Sequence, residues 1–81
     1  MGRYEKLLQN IENNPSDVTF DDLRTLLVKM GGFDCRAGKG DHVVFSHPDL
    51  QEILTVDSHG KRKLKAFYVK AALKLYHRVK D

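Results

Sequence analysis

The sequence has few of the features that stabilise secreted proteins and none that are typical of membrane proteins. Its 81 residues include one cysteine, Cys35, and no tryptophan. A single cysteine excludes a disulfide within the chain and favours a reducing compartment. No apolar run approaches the ~20 residues that a membrane-spanning helix needs, and no hydrophobic core of a signal peptide is present. We therefore expect a cytoplasmic protein.

Residues suited to metal binding are also scarce. The four histidines are His42, His47, His59 and His77, and their spacing matches no known zinc-ligand pattern. Cys35 falls in a predicted strand, where a small buried hydrophobe is a better interpretation than a nucleophile. We expect neither a metal nor a small-molecule cofactor.

Acidic residues are missing from one long stretch. Residues 61–80 contain eight lysines and arginines and no aspartate or glutamate, whereas residues 1–35 contain four basic and six acidic side chains. A basic surface of this kind suits a polyanion, most simply a nucleic acid. The alternative is a solvated helix face that only aids solubility.

Hydrophobic periodicity predicts three helices and three strands in the order α-α-β-β-β-α. The predicted helices cover residues 3–13, residues 20–30 after an N-cap at Thr19, and a segment from near Leu64 to the chain end; the predicted strands are 33–37, 43–47 and 53–56. The short links between strands favour an antiparallel meander with the helices packed on one face. We predict an α+β fold and one domain over residues 1–81.

One segment, residues 38–45, combines a flexible turn, a cation and a histidine. Gly38 and Gly40 flank Lys39, and His42 precedes the β-branched and aromatic residues Val43-Val44-Phe45. Glycines allow the backbone to approach a ligand closely, a lysine suits a phosphate, and a histidine transfers protons near neutral pH. The pattern indicates a small site that acts on a phosphate backbone.

At this point the chain resembles a known family. The blocks Leu26–Phe33, Arg36–Phe45 and Thr55–Lys61, followed by the basic helix, are similar to the HicA-type toxins of bacterial toxin–antitoxin pairs. The resemblance implies a fold like that of the double-stranded-RNA-binding domain over residues 17–79, with residues 1–16 as an N-terminal helical extension. It also implies a ribosome-independent mRNA endonuclease, an mRNA interferase, that a HicB-like antitoxin protein inhibits.

The resemblance implies that His42 is the catalytic residue. Metal-free RNA cleavage requires a base for the ribose 2′-OH, an acid for the leaving oxygen and cations for the phosphate, and His42 suits the role of base or acid–base shuttle. The alternative is an ordinary polar residue at a strand start. The candidate RNA- and phosphate-binding residues are Arg36, Lys39, Gly40, His59, Lys61, Arg62, Lys63 and Lys65, of which the last four are expected to begin the final helix.

The other histidines are weaker candidates. His47 precedes Pro48 and is interpreted as a turn residue, while His77 is interpreted as a favourable cation at a helix end. A structural role is also favoured for His59, although a contact with phosphate, or a role as the acid, stays open.

Two other functions stay open, and a departure from the family pattern favours the first of them. Asp41 stands where the family has a small hydroxyl residue, and a carboxylate there repels a scissile phosphate. The main alternative is therefore a non-catalytic RNA-binding module of the same fold, derived from a decayed toxin. A third possibility is a protein-interaction domain whose basic helix binds an acidic partner.

Overall fold

A computed structural model describes residues 3–38, 40–57 and 63–80 of the chain. The elements are α1 (Arg3–Asn13), α2 (Phe20–Thr25), a π-helical segment (Leu26–Met30), β1 (Asp34–Ala37), β2 (His42–Ser46), β3 (Leu54–Asp57) and α3 (Ala66–Lys80). This order confirms the predicted α+β fold, with helices before and after a three-stranded antiparallel sheet. Within the described ranges, no helix is long and apolar enough to span a membrane.

The start of α2 follows the sequence signals. Thr19 has extended backbone angles, and its Oγ1 accepts a hydrogen bond from the Asp22 amide at 3.2 Å. This contact satisfies one of the amides that a helix N-terminus leaves unbonded. Val18 and Leu23, which flank the cap, are both buried as a hydrophobic staple requires.

The prediction of one continuous α-helix up to Met30 was wrong in its second half. The α-helix ends at Thr25, and the chain continues as a π-helical segment over Leu26–Met30. The Gly31 amide marks the wider turn, because it donates to the carbonyls of both Leu26 and Leu27 at 3.1 Å. Periodicity did not reveal this change, since both leucines are apolar and completely buried.

The sheet is a meander in the order β1-β2-β3, as the short links predicted. Phe45 of β2 lies opposite Cys35 of β1 and Leu54 of β3, and these residues lie on the face that the helices cover. Phe45 is completely buried and Cys35 partly so. Ala37 has the parity of this face but is exposed, although its partner Val43 packs against the core. The covered face therefore anchors the centre of β2.

The last helix begins two residues later than predicted, at Ala66. The Leu64 amide donates to the Val18 carbonyl at 2.7 Å, and Lys63 forms an isolated antiparallel bridge with Thr19. Because Lys63 and Leu64 pair with the segment before α2, their backbone is extended rather than helical. Lys63 and Lys65 therefore precede α3 and do not form its first turn, which corrects the predicted helix start.

Hydrophobic spacing predicts an apolar face of the last helix that includes Phe67, Ala72 and Tyr76, and the structure corrects this prediction at Phe67. Val69, Ala72 and Tyr76 are buried, whereas Phe67 is 60% exposed and packs against the Tyr68 ring at 4.2 Å between centroids. Residues two apart on a helix lie about 200° apart. Burial of Val69 therefore places Phe67 on the outer side.

Candidate active site

The turn between β1 and β2 depends on its glycines. Gly40 has a φ of +66°, a region that side chains with a Cβ disfavour. The Gly38 amide donates to the His42 carbonyl at 2.7 Å, and a Cβ on Gly38 would lie 3.1 Å from that oxygen. Both glycines therefore set the path by which the chain enters β2. Lys39, between them, lies outside the described residues.

His42 is the first residue of β2, and its side chain is exposed. It lies opposite Asp57 in the register of β2 and β3, while Val43, the next residue, lies opposite Val56 in the core. Successive strand residues point to opposite faces, so His42 lies on the face that the helices leave open. The structure thus presents an exposed imidazole at the start of the central strand of the sheet.

Arg36 shares this open face. It pairs with Val44 across β1 and β2, and Val44 and His42 are two residues apart on one strand. Diagonal neighbours of this kind have Cα atoms roughly 7–8 Å apart, within reach of a long side chain. Arg36 is exposed, so its guanidinium is available to an anion bound beside His42.

The predicted cations after β3 that the structure describes, Lys63 and Lys65, have different environments. Lys63 forms an ion pair with Asp17, and Lys65 is exposed at the residue before α3. Lys65 contributes its carbonyl to the first turn, where it accepts the Tyr68 amide at 3.0 Å. His59, Lys61 and Arg62 lie outside the described residues. Of the predicted cations, the structure therefore places only Arg36 on the same sheet face as His42 among those it describes.

His47, at the other end of β2, has a structural environment. Its Nδ1 accepts the Asp49 amide at 3.0 Å, and its ring meets the Phe33 ring edge-on at 5.1 Å between centroids. Only 9% of the side chain is exposed. These contacts confirm the interpretation of His47 as a turn residue.

His77 also contacts another helix. Its Nε2 lies 2.8 Å from a carboxylate oxygen of Glu12, so the pair joins the last turn of α3 to α1. Beside it, burial raises the pKa of the Tyr76 phenol, and the Glu12 charge adds to the effect. The pair links α1 to the rest of the fold and is distant in sequence from the turn that carries His42.

Sequence reasoning missed Asp57 as a neighbour of His42. Strand β2 was predicted to begin one residue too late and β3 to end one residue too early, so both residues fell outside the predicted strands. Extending each strand by one residue and pairing them through Phe45 and Leu54 would have placed them opposite each other. Among the described residues, no three His, Cys, Asp or Glu side chains are grouped so as to hold a metal ion.

A family model matches the part of the chain that contains this site. The model of the family described as the HicA toxin of bacterial toxin–antitoxin systems matches residues 20–76, which include α2, the whole sheet and most of α3. No curated protein and no solved structure gives a significant match. The family match covers more than half of the chain and includes the glycine turn and His42. The chain therefore belongs to the HicA toxin family.

Proposed function

We propose that this toxin is a metal-independent endoribonuclease that cleaves mRNA, with His42 as its acid–base group. The observation that carries the proposal is the exposed imidazole at the start of β2, on the open face of the sheet and beside a glycine turn. A histidine serves as base or acid without special tuning, and it must lie within hydrogen-bond reach of the substrate. An exposed position at the end of the central strand permits that approach.

The reaction needs no group beyond the chain and the RNA. His42 takes the proton of a ribose 2′-OH, the 2′-oxygen attacks the adjacent phosphorus, and the bond to the 5′-oxygen breaks. The 5′-oxygen leaves with a proton, returned by the imidazolium or supplied by a second acid such as His59. The products are a 2′,3′-cyclic phosphate and a free 5′-hydroxyl.

Cations stabilise the charge that develops on the phosphoryl oxygens. Arg36 is supported best, since it lies on the same sheet face as His42. Its planar guanidinium suits two oxygens of one phosphate. Gly40 allows the RNA backbone to approach the turn. The further phosphate contacts proposed are Lys39, Lys61, Arg62, Lys63 and Lys65, with Lys63 leaving its ion pair with Asp17 to do so.

Membership of the family also implies a cognate antitoxin. We propose that it is a HicB-like protein, that it acts on the toxin in the cytoplasm, and that it covers the open face around His42. Co-purification of the toxin with the product of the neighbouring reading frame tests the partner. RNA cleavage with and without that product tests its effect.

The first experiment compares induced expression of the wild type and His42→Ala in bacteria. Wild-type expression is expected to arrest growth and to degrade reporter mRNA, and the variant is expected to do neither. His47→Ala is the matched control, because it removes a histidine from the other end of the same strand. Toxicity that persists in His42→Ala would refute the catalytic assignment.

The metal requirement is tested on the purified protein. Cleavage of a 2′-OH-containing RNA is expected to continue in excess EDTA, and an RNA with a 2′-deoxy residue at the cleaved position is expected to be resistant. Loss of activity in EDTA would exclude the metal-free scheme.

A non-catalytic RNA-binding module remains the second candidate, and Asp41 is the observation that favours it. Asp41 is an exposed carboxylate directly before His42, where a phosphate must approach. Purified protein that shifts RNA in a gel but leaves it intact would favour this candidate. Asp41→Ser then separates the two, since restored cleavage would identify the carboxylate as the cause.

A further inference from the structure

We propose that Asp57 is a positioning residue for His42, with its carboxylate accepting a hydrogen bond from one imidazole nitrogen. The proposal deepens the proposed function and rests on it. Asp57 would not contact the RNA. It would act through the orientation and the tautomer of the histidine.

The register of the sheet supports the pair. His42 and Asp57 are direct partners between β2 and β3, so both side chains lie on the open face. The His42 carbonyl accepts the Gly38 amide and therefore points toward β1. In an antiparallel sheet the amide and carbonyl of one residue point to the same neighbouring strand, so the pair with Asp57 is a non-hydrogen-bonded one.

This type of pair brings side chains closest together. Non-hydrogen-bonded partners have Cα atoms about 4.5 Å apart, against about 5.5 Å for hydrogen-bonded partners. A histidine and an aspartate at this spacing reach each other by side-chain rotation alone. Hydrogen-bonded and non-hydrogen-bonded pairs alternate along antiparallel strands. Because His42 and Asp57 form a non-hydrogen-bonded pair, they lie closer together than the partners of a hydrogen-bonded pair.

Burial gives the two residues different roles. Asp57 is partly buried and its Oδ1 is shielded from solvent, whereas the His42 side chain is exposed. An ionised carboxylate only accepts hydrogen bonds, so it selects the tautomer whose N–H points toward it. The other nitrogen is then left as the base that faces the substrate.

Among the described residues, two other charged groups share this part of the molecule. Arg36 lies diagonally across β1, and Asp41 precedes His42 in the turn. Neither is the direct cross-strand partner of His42. Asp34 lies on the open face at the far end of β1, opposite Ser46, and offers a matched control.

The first test is kinetic and uses the full chain. Asp57→Asn is expected to lower kcat for RNA cleavage by roughly 10–100-fold, the cost seen when a metal-ligating histidine loses the partner that orients its ring, and to leave KM unchanged. Asp34→Asn removes the same charge from the same face and is expected to retain wild-type kcat. Asp57→Glu, which keeps the carboxylate, is expected to recover part of the loss.

The second test measures the tautomer of His42 directly, first in the wild type. Long-range ¹H–¹⁵N correlation of the wild type, above the pH at which His42 is protonated, is expected to show one dominant neutral tautomer. Asp57→Asn is expected to show a mixture. A mixture in the wild type would overturn the proposal even if every variant at position 57 failed to fold.

The outcomes distinguish failure of the proposed function from failure of the positioning role of Asp57. If His42→Ala cleaves RNA like the wild type, the proposed function fails. If His42→Ala is inactive but Asp57→Asn retains wild-type kcat, only the positioning role fails. A loss in Asp57→Asn that persists undiminished in the His42→Ala background would also overturn the positioning role, because Asp57 would then act independently of the histidine.

Discussion

A histidine lies at each end of β2, His42 as its first residue and His47 directly after its last, and their environments are opposite. The glycine end, residues 38–42, presents His42 exposed on the open sheet face. The proline end, residues 46–49, encloses His47 between the Phe33 ring and the Asp49 amide. The same residue type is thus available for chemistry at one end and fixed into the fold at the other. Burial and hydrogen bonding, rather than residue type, separate a candidate base from a structural residue.

The largest expected effect is on cleavage at the glycine end. His42→Ala is expected to lower the rate of RNA cleavage by about 10²–10⁴-fold, the usual contribution of a general acid or base, with little change in melting temperature because the side chain is exposed. Single-turnover cleavage of a short RNA and thermal unfolding measure the two quantities. A large fall in melting temperature would show that His42, like His47, is structural.

The next effect is on stability at the proline end. His47→Ala removes an edge-on ring contact and the acceptor for the Asp49 amide, each worth about 0.5–1.5 kcal/mol. The free energy of unfolding is expected to fall by about 1–3 kcal/mol, while the cleavage rate of the folded protein is retained. Urea unfolding with cleavage assays below the transition checks both. If His47→Ala lost cleavage without losing stability, His47 would belong to the active site rather than to the fold.

A glycine with positive φ lies near each histidine and allows a matched pair of substitutions. Gly40 has a φ of +66° and Gly32 a φ of +73°. A Cβ added at Gly40 would have no neighbour within 4 Å, and a Cβ added at Gly32 would contact only the His47 Nε2, at 3.7 Å. Alanine at either position is strained by its backbone angle, so both variants are expected to lose about 1 kcal/mol. Only Gly40→Ala is expected to slow cleavage, by roughly tenfold, since a displaced turn misaligns His42. If Gly40→Ala and Gly32→Ala slowed cleavage equally, the placement of the active site at the glycine end would be contradicted.

The sequence predicted the elements of this fold better than their ends. The Thr19 cap and the meander follow from local residue chemistry, and the structure confirms both. The late start of α3 was not predictable, because it depends on a hydrogen bond from Leu64 to Val18, far away in the chain. The helix propensities of neighbouring residues do not predict such a long-range contact.

The candidate site was predictable only in part for the same reason. His42 was identified by its glycine turn and by family resemblance, both of which are local in sequence. Asp57 was missed, because its relation to His42 exists only in the register of two strands. His47 and His42 were distinguished through Pro48, whose presence predicted a turn at that end.

The smallest expected effect concerns a contact that joins the segment after the proline end to α3. Glu52, after the β2–β3 turn, forms an ion pair and hydrogen bond with Arg78, and this bond holds the pKa of the Glu52 carboxyl below its usual value of 4.5. A group with a lowered folded-state pKa stabilises the protein above its unfolded pKa, and the contribution is lost as the pH falls through the folded-state value. The wild type is therefore expected to melt slightly above Glu52→Gln at pH 7 and low salt, and the gap should narrow and then close as the pH falls below the usual carboxyl pKa of 4.5. Thermal unfolding from pH 7 to pH 3 measures it, with Arg78→Gln as the background in which Glu52→Gln should have no further effect. A gap that persisted in that background would mean that Glu52 stabilises this segment without Arg78.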